Sequence, residues 1–87
     1  MPYRRAEGVL SETADGRAML AAASGNEVIV LNDTGTLVWR LLEDHDDADA
    51  ITGLVHEAYP EIPRDDVARD VDAFLAELLA AQLVERT

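Results

Sequence analysis

The sequence contains no cysteine and no lysine, and only two histidines, two serines and one phenylalanine. Without cysteine there is no disulfide staple and no thiolate chemistry. The two imidazoles, His45 and His56, lie too far apart for the i, i+4 spacing that puts two metal ligands on one helical face, so no metal site is expected. Neither Ser11 nor Ser24 sits in the Gly-x-Ser-x-Gly elbow that exposes a nucleophile on a strained turn. The glycines are dispersed, with no Gly-rich loop to cradle a phosphate, so no cofactor is expected either. Long apolar runs are missing too. No window approaches the roughly 18–20 uninterrupted apolar residues of a membrane span, and residues 1–10 lack the apolar stretch of a secretory signal. These absences predict a cytoplasmic protein that uses no membrane.

What is abundant is acid. Eighteen acidic residues face seven arginines, for a formal net charge of −11. Binding to a phosphate backbone depends on basic groups that release condensed counterions, so this charge argues against nucleic acid as a partner. The acids either keep a small domain soluble or attract a basic partner. Pairs such as Asp65 with Asp66, or Asp70 with Asp72, could do acid/base work only in a desolvated cleft that separates their pKa values. At 87 residues the chain is expected to form a single domain over residues 1–87, burying roughly 60–65% of its unfolded surface, and it offers no obvious cleft. The acidic run at residues 43–49 fails as an EF-hand. Counted from Asp44, Asp49 falls at the glycine position and Val55 at the bidentate glutamate. A binding protein is expected, not an enzyme, with no catalytic residue.

The chain divides near its middle into a strand-like and a helix-like half. Asp15-Gly16 suits the positive φ angles of a tight hairpin turn, and Ser24-Gly25-Asn26 marks a second turn. Three strands follow, at about residues 7–13, 17–22 and 27–31, as an antiparallel meander. The third reads Glu27-Val28-Ile29-Val30-Leu31, apolar on both faces, so either both faces are covered or one lines a site. Its edge lacks the lysine or proline that discourages pairing with another chain, which marks it for docking.

Asn32 or Asp33 can cap a first helix bearing Leu37, Val38, Leu41 and Leu42, with Trp39 among them as a core residue rather than a ligand platform. Asp47 or Asp49 can cap a second helix, with Ile51, Leu54, Val55 and Ala58, that stops before Pro60. A third begins at Pro63, with Asp65 and Asp66 complementing its dipole. Along it Val67, Val71, Phe74 and Leu78 form one stripe, and Leu75, Leu79 and Leu83 extend it on one flank beside Ala68 and Asp72. The apolar arc covers about 200°, against the ~100° that a core-facing helix needs, so the surplus flank could line a groove. The fold class is α+β and winged-helix-like: a three-stranded antiparallel meander followed by three helices.

The run Leu31-Asn32-Asp33-Thr34-Gly35-Thr36-Leu37-Val38-Trp39-Arg40-Leu41-Leu42, followed by Asp70-Val71-Asp72-Ala73-Phe74-Leu75-Ala76-Glu77-Leu78, resembles the PqqD-like family of precursor-peptide recognition domains. Element order agrees from about Val9 to Val84. The resemblance implies that a leader peptide adds a strand to the third strand and sends side chains into a cleft beside the third helix. By position it implicates Glu27, Val28, Ile29, Val30, Leu31 and Asn32 on one side, and Ala68, Asp72, Leu75, Ala76 and Leu79 as the opposite wall. Gln82 stands where the family often has glycine, and Ile62 where a capping Asp or Ser is usual.

The resemblance is strongest to the free-standing recognition proteins of lasso-peptide pathways. These hold a ribosomally made precursor by its leader, here expected to be basic, and present it to a leader-cleaving cysteine protease and an ATP-dependent cyclase. The alternative is a PqqD-type peptide chaperone that serves a radical SAM enzyme in quinone-cofactor synthesis. An alternative of another class is a winged-helix DNA-binding regulator.

Overall fold

The computed structural model describes residues 2–23, 25 and 27–87. In chain order the elements are β1 (Tyr3–Arg5), β2 (Leu10–Ala14), β3 (Arg17–Ala21), β4 (Ile29–Val30), α1 (Asp33–Leu41), α2 (Ala48–Ala58), α3 (Arg64–Ala80) and β5 (Val84–Arg86). The expected meander is the sheet β2-β3-β4, antiparallel throughout, and the three expected helices follow it. Asp15 and Gly16 both take positive φ, 53° and 78°, and close the β2–β3 hairpin as the Asp-Gly pair requires. The second expected turn involves Ser24 and Asn26, which lie outside the described residues.

Two strand boundaries differ from expectation. The first strand begins at Leu10 rather than near residue 7, because the chain turns at Gly8 (φ 77°), where a side chain would meet the Ala23 Cβ at 2.9 Å. The third, β4, is laddered only at Ile29–Val30, although Leu31 N–H still donates to the Ala18 carbonyl at 2.8 Å. Alternation along β3 and β4 turns Ala18, Leu20 and Leu31 into the core and leaves Val28 and Val30 in solvent, 64% and 57% exposed.

Each helix start has a physical cause. Asn32 caps α1 by accepting from the Gly35 amide at 2.8 Å, and Asp47 caps α2 by accepting from the Ala50 amide at 3.3 Å. Pro63 is the cap residue of α3, not its first helical residue. Its ψ of 139° is extended, and its carbonyl accepts from Asp66 and Val67. Thr36 ties α1 to the sheet, its Oγ1 accepting from the buried Ala18 amide at 3.0 Å. Trp39 is core, as expected, and its Nε1 donates to Ser11 Oγ at 3.1 Å. Arg5 stacks on the Trp39 ring, 4.3 Å from the ring centroid, and donates to the Trp39 carbonyl. Burial holds the Arg5 guanidinium below its usual pKa, and the nearby charges of Glu43 and Asp44 pull it back up.

The α3 terminus is a Schellman motif: Gln82 N–H bonds to the Leu79 carbonyl and Leu83 N–H to the Leu78 carbonyl. Gln82 takes φ 62°, the left-handed conformation that a glycine adopts freely. Leu83 therefore lies beyond α3, buried, and not on its flank. The chain then runs antiparallel to β1 as β5, pairing Tyr3 with Arg86 and Arg5 with Val84. The sequence reading contains neither strand. Three residues with charges among them show no alternation long enough to detect.

Candidate functional site

β4 is an edge strand, bonded to β3 on one side only. Because Leu31 N–H points to β3, the alternation of an antiparallel ladder turns the N–H and C=O of Val30, and by the same parity those of Val28, toward the open side. The other sheet edge, β2, is exposed along its whole length.

Below the β4 edge, three depressions follow one another along α3. The first, about 290 Å³, lies between Glu27 and Ile29 on one side and Ala81 and Leu83 on the other. The second, about 190 Å³, shares Ile29 and continues past Val30, Leu31 and Asn32 against Phe74, Glu77 and Leu78. The third, about 370 Å³, shares Asn32, Phe74 and Glu77, and reaches Thr34 and Gly35 of α1 and Asp70 and Ala73 of α3. The shared residues make one groove. From residue 81 back to residue 70, α3 rises ~16 Å at 1.5 Å per residue, enough for about five residues of extended chain at 3.3 Å each.

Within this groove Glu27, Ile29, Val30, Leu31 and Asn32 line the strand side, and Val28 lies exposed on the same edge. The helix side is another matter. Leu75 is fully buried in the core and faces no surface, Ala68 is half-buried, and Asp72 and Ala76 are exposed. None of the four lines the groove. Leu79 lines a neighbouring depression with Ala6, Glu7, Ala22 and Val84, which meets the first one at Ala22 but is lined by no β4 residue. The wall beside β4 is instead Asp70, Ala73, Phe74, Glu77, Leu78 and Ala81, on roughly the opposite side of the helix at ~100° per residue.

The surplus apolar flank goes to packing, and the groove takes a more polar face with one aromatic ring on it. A signal for that face was present in the sequence: the single phenylalanine, Phe74, is bracketed by Asp70 and Glu77 at i−4 and i+3. Neither acid has a hydrogen-bond or ion-pair partner among the described residues, and no arginine lines the groove.

A strand edge open on one side, set over a helix-walled groove on a three-strand, three-helix body, is the arrangement of a recognition domain to which an extended peptide can add a strand. The chain belongs to the PqqD family: the profile described as Coenzyme PQQ synthesis protein D (PqqD) matches residues 16–84. It is also similar in structure to TbiB1 in complex with the TbiA(beta) leader peptide. There the identity is 25% and the TM-score 0.88, over 97% of this chain and 96% of that one. A lasso peptide synthetase B1 complexed with the leader peptide is similar too, at 26% identity and a TM-score of 0.81, over 99% of this chain and 100% of that one. No curated protein matches the chain.

Proposed function

We propose that this protein binds the leader segment of a ribosomally made precursor peptide in lasso-peptide biosynthesis. It then presents that precursor to a leader-cleaving protease and an ATP-dependent cyclase. The observation that carries the reading is the open β4 edge above the α3 groove, on a fold shared over nearly its whole length with two proteins solved with leader peptides.

The leader pairs with Val28 and Val30 through backbone hydrogen bonds, which supply affinity without sequence preference. Its inward side chains enter the groove over Phe74, and these contacts supply selectivity. A micromolar to nanomolar affinity corresponds to about −8 to −12 kcal/mol. The protein acts by binding, with no catalytic residue, as a single domain in the cytoplasm. Among the described residues no helix is long and apolar enough to cross a membrane. The net charge of −11 supports a basic leader and speaks against a winged-helix DNA regulator.

A titration of the labelled protein with the leader of the adjacent precursor gene, followed by NMR, tests the reading. Saturable shifts confined to residues 27–32 and 70–81 are expected; shifts elsewhere, or none, overturn it. The family description also favours a second reading, delivery of a precursor to a radical SAM enzyme in quinone-cofactor synthesis. Reconstitution separates the two: the leader-bound protein accelerates either the protease and cyclase or the radical enzyme.

A further inference from the structure

The groove is shaped unevenly along its length. At the strand-β4 start it is an apolar hollow of Ile29, Ala81 and Leu83 beside Glu27. Toward Asn32 it becomes a half-buried aromatic ring between two carboxylates, Asp70 and Glu77. On α3 these three positions share one face, with Phe74 ~6 Å along the axis from Asp70 and ~4.5 Å from Glu77. In an extended peptide, side chains on one face recur every ~6.6 Å. Three successive inward side chains of an added strand therefore match Asp70, Phe74 and Glu77 in order, the long stems of arginine or lysine absorbing the remaining ångströms.

The two carboxylates are free to take cations. The nearest ion pair on the same helix, Arg69 with Asp66, lies outside the groove, and Glu27, the other acid on its walls, has no ion-pair partner among the described residues. We infer that Asp70 and Glu77 are specificity-determining residues that select a strand of basic, apolar and basic side chains at alternate positions, with the apolar one on Phe74. This rests on the strand-addition reading above and adds to it the spacing of the charges. Exposed ion pairs are individually weak, so removing both carboxylates lowers affinity for such a strand by roughly two- to thirtyfold.

The test is selection of a randomised twelve-residue peptide library on the full chain, repeated on the Asp70→Asn/Glu77→Gln double variant. Both positions are exposed, so the variant is expected to fold; its circular dichroism is compared first. The expected result is enrichment, on the wild-type protein, of arginine or lysine two positions either side of an apolar residue. On the variant that basic enrichment disappears and the apolar preference stays. Enriched peptides without basic flanks, or the same flanks on both proteins, overturn the inference and leave strand addition standing. Failure to enrich any peptide that shifts the Val28 and Val30 amides overturns both.

Discussion

Gly35 lies directly against Phe74: a Cβ on Gly35 would stand 3.2 Å from both Cε1 and Cζ of the ring, and 3.2 Å from the capping oxygen of Asn32. The missing side chain lets the ring lie on the first turn of α1, where it forms part of the groove wall.

Gly35→Ala therefore separates folding from binding. Alanine gains up to ~1 kcal/mol of helix propensity, which offsets the crowding, so denaturant stability changes little. The displaced ring narrows the groove, and leader affinity falls severalfold. Unchanged affinity would mean that the ring position does not matter to the ligand.

Val30 is 57% exposed on the open edge, so a charge there disturbs no core packing. Val30→Asp is expected to keep a native far-UV circular dichroism spectrum and to weaken leader binding about tenfold or more, ~1.4 kcal/mol. A folded variant with full affinity would remove β4 from the site.

Association with a basic leader should slow as salt is added, because the −11 charge steers encounter from distances that a ~8–10 Å Debye length cuts off. Stopped-flow rates between low and physiological salt measure this. A flat dependence would reduce the acids to a role in solubility.

Gln82 holds φ 62° at the Schellman position. Replacing it with glycine removes a left-handed strain of ~1 kcal/mol, and for a domain of this size that raises Tm by about 4–8 °C. A Tm that stays level or drops would show that the Gln82 side chain contributes as much as its backbone costs.

Arg5→Leu loses the stack on Trp39 and the bond to its carbonyl. A destabilisation of ~1–3 kcal/mol is expected in a melt followed by Trp39 fluorescence. No loss would assign the packing to the ring alone.

What could be read in the sequence followed from how local its cause was. The Asp15-Gly16 turn, the Asn32 and Asp47 caps and the Pro60 stop each depend on one or two residues, and each lies where those residues put it. The groove wall depends on which side of α3 meets its neighbours, and periodicity cannot decide that for a helix whose apolar arc exceeds half a turn. Leu75 belongs to the core, and Phe74, counted with the core stripe, is half-exposed over the groove. The β1–β5 pair escaped because its cause is non-local: Tyr3 finds Arg86 only after everything between them has folded.

That same pair gives the domain a mechanical character. Thr87 N–H donates to the Pro2 carbonyl at 3.1 Å, so both ends of the ribbon emerge at one point. Tension applied across them peels β1 from β5 one hydrogen bond at a time instead of shearing all of them together. A pull on either end is thus absorbed first by a ribbon that carries none of the groove, and the domain can yield there while β4 and α3 keep their hold on a bound strand.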